Sequence, residues 1–397
     1  MRIPLIIAII ALALNIGIDA YIARSIRRVF GKARRAVKAH IIISVVAAAA
    51  LAFLICLPKK EVSQAGLTVI MWALFGYLSI YAAKLTFIVC DSIGLLVRAI
   101  LRRRNRAAVA AVVGCIAALS VFIALWWGAL VTRYDIEVKP VSVAVSGLPD
   151  TFDGYTIAQI SDLHVGSYGP DTTYVSRLVD SINALQPDII VFTGDIVNRT
   201  TAELHPFVAP LSRLQAPDGV LSILGNHDYG DYYEWDSPQD KTDNMRLMHQ
   251  LQQQMRWHLL DNETIMLHRG SDSLAVIGVQ NVGDPPFPIY GSLSKAYPAI
   301  SDAAVKVLLS HNPVHWTDSI SNRPEVNVAL TLSGHTHAMQ IACGRFSPAA
   351  LRYKTWGGLY TDSLGRALYV NIGIGEVAFP ARVGATPEIT LITLHKK

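Results

Sequence analysis

The chain has 397 residues, enough for two or three domains, with 52% hydrophobic residues, a mean hydropathy of +0.35 and a net charge of +5. That charge hides an asymmetry: residues 1–134 carry 17 Lys and Arg against 3 Asp and Glu, a net +14, whereas residues 135–397 carry 18 against 27, a net −9. The acidic second half excludes the basic footprint of a nucleic-acid groove, so no nucleic-acid partner is expected, and its lone cysteine, Cys343, excludes an internal disulfide.

The first half, 1–134, reads as a membrane region. Four apolar stretches, about 4–23, 40–57, 65–83 and 107–131, approach the roughly 20 residues that span a bilayer as a helix. The first is long, lacks a small-x-small cleavage site and is followed by further spans, so it reads as a signal anchor. Lys84 and Asp91 interrupt an apolar run that continues to Val97; Lys84 is expected to snorkel from a helix end. Residues 24–39 hold seven Lys and Arg and no acid, and 91–106 hold five Arg and one Asp. By the positive-inside rule both basic loops face the cytoplasm, which after four spans puts residue 135 onward outside. Trp126 and Trp127 fit an interfacial aromatic belt. A short hinge, about 132–142, leads into the second half, 135–397.

From residue 155 one grammar recurs: a β-branched run of strand length, a small residue, then polar ligand-type residues. YTIAQI leads into SDLH (161–164), DIIVFT into GD (194–195), GVLSIL into GNHD (225–228), VKVLL into SH (310–311), and VNVALTL into SGHTH (333–337). A helix is expected over about 171–185, with Asp171 as N-cap and a stop before Pro187, and another over 242–257. Strands alternating with helices give an α/β domain, in which ligands gather at the carboxyl ends of strands. The proline-rich stretch 280–300 is either a lid or an ordinary loop.

His335 and His337 stand two positions apart, so if the strand persists they point to one face and converge on one spot. The full set, Asp162, His164, Asp195, Asn226, His311, His335 and His337, mixes imidazole with carboxylate and contains no cysteine. That mixture suits Mn, Fe, Zn or Ni. Seven ligands are too many for one ion and suit two ions about 4 Å apart, bridged by a carboxylate. The other histidines, His315 among them, read as packing or surface residues.

The ordered series SDLHVG, TGDIV, LGNHD, LLSHNP and SGHTH resembles the calcineurin-like metallophosphoesterases over about 150–397, and among them the membrane-associated bacterial branch. The resemblance implies an α/β metallophosphoesterase domain, a two-sheet β-sandwich flanked by helices (αββα), here preceded by the α-helical membrane region. It also implies two divalent metal ions, one held by Asp162, His164 and His337, the other by Asn226, His311 and His335, with Asp195 bridging. On that basis the two histidines of GHTH serve different ions. His227 is implied as the general acid and Asp228 as the residue that orients it. The implied activity is hydrolysis of phosphate esters or phosphodiesters by a metal-bridging hydroxide, with a phosphate-ester substrate, possibly lipid-linked, as partner. The alternatives are a lipid-linked pyrophosphatase, acting on a sugar-nucleotide lipid or isoprenoid carrier, and a membrane sensor or transporter with a vestigial phosphoesterase domain. The expected location is a bacterial cell membrane, multi-pass, with the catalytic domain on the outer face.

Overall fold

The computed structural model describes residues 2–31, 33–56, 64–101, 107–283, 288–297 and 305–397. The chain divides into two compact units: Met1–Ala129 with Ala378–Ala381, and Leu130–Val377 with Arg382–Lys397.

The first unit is helical: α1 (Arg2–Phe30), α2 (Arg34–Cys56), α3 (Gln64–Leu101) and α4 (Ala107–Leu130). Among the described residues, three stretches are long and apolar enough to cross a membrane: Arg34–Leu54, Gly66–Leu101 and Val109–Tyr134. The expected end of the third span near residue 83 does not occur, because α3 runs on through Lys84 and Asp91 to Leu101. Their charges are met inside the bundle. Lys84 Nζ donates to Asp19 Oδ1 at 2.7 Å and to Ser44 Oγ at 3.1 Å, so Lys84 is paired and does not snorkel. Asp91 is fully buried and accepts from Arg28 Nη2 at 2.5 and 2.7 Å and from Tyr21 Oη at 2.8 Å. A buried charge persists only when it is paired in this way.

The second unit holds two six-stranded sheets. The first is ordered β1 (Glu137–Val145), β12 (Glu388–Lys396), β2 (Thr156–Ile160), β3 (Ile189–Phe192), β4 (Val220–Ser222) and β5 (Trp257–Leu259), with β2 to β5 parallel. The second is ordered β10 (Gly358–Thr361), β11 (Ala367–Val370), β9 (Leu330–Ser333), β8 (Val305–Leu309), β7 (Asp272–Gly278) and β6 (Glu263–Arg269), parallel from β11 to β7. Alternate residues of both sheets, among them Ile157, Val191, Leu221, Val276, Val307 and Leu332, bury one shared core between them. The outer face of the first sheet packs on α5 (Thr173–Ala184), the short α6 (Val208–Leu211) and α7 (Pro238–Gln254). The outer face of the second carries α8 (Leu293–Ala296) and α9 (Val314–Ser319). This is the expected layered sandwich.

Helix α5 forms because Val175, Leu178, Val179 and Ile182 recur on one face, and all are fully buried. Each such aliphatic side chain contributes about 1.5–3 kcal/mol. Asp171 sits one residue outside the cap, yet its Oδ1 accepts the Thr173 N–H at 2.9 Å. Helix α7 starts four residues before the expected 242, because Ser237 and Asp240 form a reciprocal capping box and Pro238 occupies the first turn. Of the stretch 280–300, residues 284–287 and 298–300 lie outside the described residues. In the rest, Tyr290 stacks on Tyr229 with centroids 4.0 Å apart and donates to Asp231 Oδ2 at 2.9 Å, pinning this segment to the loop that follows β4.

Candidate metal centre

All five motifs lie just past the carboxyl ends of β2, β3, β4, β8 and β9. Strand β9 stops at Ser333, so the extended conformation does not carry through His335 and His337. Both take left-handed backbone angles, φ 75° and 50°, as do Asp162 (54°), His164 (45°) and Asp195 (61°). A non-glycine residue there costs about 1–2 kcal/mol, and such strain concentrates where side chains must be aimed. The turn sends the two histidines to different clusters. The glycines between allow the loops to close: a Cβ on Gly334 would overlap Ser161 and Asp162, and one on Gly225 would overlap Asp195.

The first cluster is Asp162, His164 and His337, all buried. His164 Nε2 lies 3.1 Å from His337 Nε2, and His337 Nε2 lies 3.3 Å from Asp162 Oδ1. Arg382, fully buried, places Nη2 3.2 Å from His337 Nδ1 and also donates to the carbonyls of Ile372, Gly375 and Ala385. The second cluster is Asp195, His311 and His335, joined by Asn226. His311 Nε2 lies 3.2 Å from Asp195 Oδ2, from His335 Nδ1 and from Asn226 Oδ1. Asp195 Oδ2 is also 3.7 Å from His164 Nε2, so one carboxylate oxygen faces both clusters.

These spacings fit bound cations. Ligand bonds of about 2.1 Å set neighbouring ligand atoms about 3.0–3.4 Å apart. Here nitrogen and oxygen atoms converge at that separation in a buried site. The His311 tautomer agrees: its Nδ1 donates to the Thr193 carbonyl at 2.8 Å, which turns Nε2 inward.

The charges are strongly coupled. Burial lowers His311, but the Asp195 carboxylate more than reverses this and lifts it to about 9. Burial and then the His311 charge push His335 down to about 3. Burial raises Asp195, yet the charges of His311 and His227 outweigh it and hold Asp195 well below the usual carboxylate range. Burial and the nearby Asp195 push Asp228 up to about 7.

Asp228 does not orient the His227 ring. Its carboxylate accepts four backbone N–H groups, from Asp195, Ile196, Val197 and Gly225, at 2.8–3.2 Å. His227 is held instead by its Nδ1 donating to the Asn198 carbonyl at 2.7 Å, with its ring 4.8 Å from that of His164 and 4.4 Å from that of Tyr232. The partners that sequence reasoning missed are of two kinds. Thr193 and Asn198 contribute backbone carbonyls, which leave no side-chain signal. Tyr232, Tyr353 and Arg382 come from loops outside the strand-end motifs.

Residues 155–339 match the family described as Calcineurin-like phosphoesterase, and residues 1–133 match "Probable Calcineurin-like phosphoesterase, transmembrane domain". An uncharacterized metallophosphoesterase of Bacillus subtilis, YkuE, is 34% identical over 65% of this chain and 85% of its own length. The chain belongs to the calcineurin-like phosphoesterases. Other members of the family include a bovine "Transmembrane protein with metallophosphoesterase domain", 30% identical over 65% of this chain but only 57% of its own length. The UDP-2,3-diacylglucosamine pyrophosphatase LpxG of Chlamydia trachomatis is 27% identical over 60% of this chain and 83% of its own. This chain is thus a calcineurin-like phosphoesterase, a metal-dependent phosphoric ester hydrolase, with a membrane region on its amino-terminal side.

Proposed function

We propose that this protein is a membrane-anchored phosphoesterase with two divalent metal ions, and that its substrates are phosphate esters or diesters. The observation that carries the reading is the pair of ligand clusters facing a single carboxylate, Asp195. Asp162, His164 and His337 would hold one ion, and Asn226, His311 and His335 the other, with Asp195 between the two groups. The donor set, imidazole and oxygen without thiolate, favours Mn, Fe, Zn or Ni. When bound, such ions supply Lewis acidity toward a phosphoryl oxygen and lower the pKa of water at the site.

The chain's own residues do the rest. His227 Nδ1 is fixed on the Asn198 carbonyl, which leaves Nε2 to donate a proton to the departing alcohol oxygen. Asp228 gathers the Asp195–Val197 and Gly225 backbone so that Asp195 and His227 meet: the His227 N–H donates to Asp195 Oδ1 at 2.8 Å. The test is hydrolysis of bis-p-nitrophenyl phosphate by the full chain in detergent with Mn²⁺, beside Asp195→Asn. Hydrolysis that needs both the metal and Asp195 supports the reading, and turnover that survives without either overturns it.

The likeness to the chlamydial pyrophosphatase, together with the membrane region, favours a second reading in which the substrate is a lipid-linked pyrophosphate. A domain tethered at the bilayer meets amphiphilic substrates at high effective concentration. A preference in kcat/KM for a lipid-linked pyrophosphate over the soluble diester separates the two readings. By its basic loops, the catalytic unit lies on the outer face of the membrane.

A further inference from the structure

Two phenols outside the strand-end motifs touch the second cluster. Asn226 Nδ2 donates to Tyr232 Oη at 2.9 Å, and His335 Nε2 lies 3.1 Å from Tyr353 Oη. No other side chain hydrogen-bonds either ligand from the solvent side among the described residues.

Each contact settles an ambiguity in its ligand. An Asn side chain has two nearly isosteric ends, and only Oδ1 can hold a cation. With Nδ2 donating to Tyr232, Oδ1 is the end that faces His311 Nε2 at 3.2 Å. A neutral imidazole carries one proton, on either nitrogen. For His335 the surrounding geometry selects the nitrogen. If its proton sat on Nδ1, an N–H would point at His311 Nε2, 3.2 Å away, and no lone pair would face the cluster. With the proton on Nε2, that N–H donates to Tyr353 and the Nδ1 lone pair faces inward. The first cluster's ligands are enclosed, with Arg382 Nη2 3.2 Å from His337 Nδ1 and the His335 backbone N–H donating to Asp162.

We propose that Tyr232 and Tyr353 are positioning residues for the second metal site, each phenol oxygen accepting the one N–H that fixes which atom of Asn226 or His335 faces the ion. This rests on the binuclear reading above. Accepting that hydrogen bond leaves each phenol its own O–H to donate outward, toward a phosphoryl oxygen of the substrate. Outer partners of this kind typically change metal affinity about 10–100-fold.

The test uses the full chain in detergent and compares the parent with Tyr232→Phe and Tyr353→Phe, which keep both rings and remove only the oxygens. Mn²⁺ titration followed by EPR counts ions and reads the spin-coupled pair, and melting curves taken without metal control for folding. The expected result is that each variant takes the first Mn²⁺ like the parent and the second about tenfold or more weakly. The coupled-pair signal then appears only at higher Mn²⁺, with metal-free melting unchanged. Parental affinity for both ions in both variants overturns the proposal while leaving the binuclear reading intact. A parent that binds fewer than two ions overturns the binuclear reading, and this proposal with it.

Discussion

Asp228 accepts the backbone N–H of Asp195 at 2.8 Å, and it draws three further backbone N–H groups onto the same buried carboxylate. Two aspartates in contact therefore have opposite tasks: Asp195 offers its oxygens to the clusters, and Asp228 shapes the loops that present it. Asp228→Ala should strand four buried donors, each worth about 1–3 kcal/mol when left unpaired. The expected outcome is a large fall in melting temperature together with loss of bound metal, read by denaturation and elemental analysis.

His227→Ala should behave differently. The His227 side chain lies beside His164 and Asp195, close enough to form a third ligand-type group, but its Nδ1 is committed to the Asn198 carbonyl and its proposed task is proton donation. Metal content should stay at the parental level while kcat falls by about 10²–10⁴, the usual contribution of a general acid. Equal loss of metal and turnover would contradict that division of labour.

The pH dependence of metal binding follows from His311. Without metal, His311 is protonated up to about pH 9, because Asp195 favours its charged form. An ion bound at Nε2 must displace that proton, so uptake at pH 7 releases protons and affinity rises with pH. The gain should be about tenfold per pH unit below about 9 and then level off, as one proton is exchanged per ion. Calorimetric Mn²⁺ titrations in buffers of different ionisation enthalpy check both slope and proton count.

In the membrane half, Asp19 and Lys84 pair at 2.7 Å, with Tyr81 Oη donating to Asp19 Oδ2 at 3.0 Å. Removing one partner of this partly buried pair leaves the other charge uncompensated, whereas removing both is milder. Lys84→Met should therefore lower the melting temperature in detergent sharply, and Asp19→Asn with Lys84→Met should recover most of the loss.

The orientation is open to a direct test. If the basic segments at 24–39 and 91–106 face the cytoplasm as proposed, alkaline phosphatase fused after Lys397 should be active in a bacterial host and a GFP fusion at the same place should be dark. The reverse pattern would put the site in the cytoplasm.

What the sequence determined by itself was local. β-branched apolar runs of strand length ending in SDLH, GD, GNHD, SH and SGHTH marked the strands, and they named the seven ligand-type residues that the structure brings together, because strand composition and ligand chemistry are both written in adjacent residues. The apolar lengths and lopsided charge likewise marked a membrane region. Tertiary structure decided everything that depended on direction or on distant partners. Left-handed turns after β9 separate His335 from His337, although strand alternation alone would have aimed them together. Lys84 is paired because α1 brings Asp19 to it across 65 positions of chain. His227 and His311 are held by the carbonyls of Asn198 and Thr193, atoms that every residue type carries and no motif can announce. Asn226 and His335 meet their phenols only because separate loops close over the same strand ends, a convergence set by packing of the two sheets and not by any neighbouring residue.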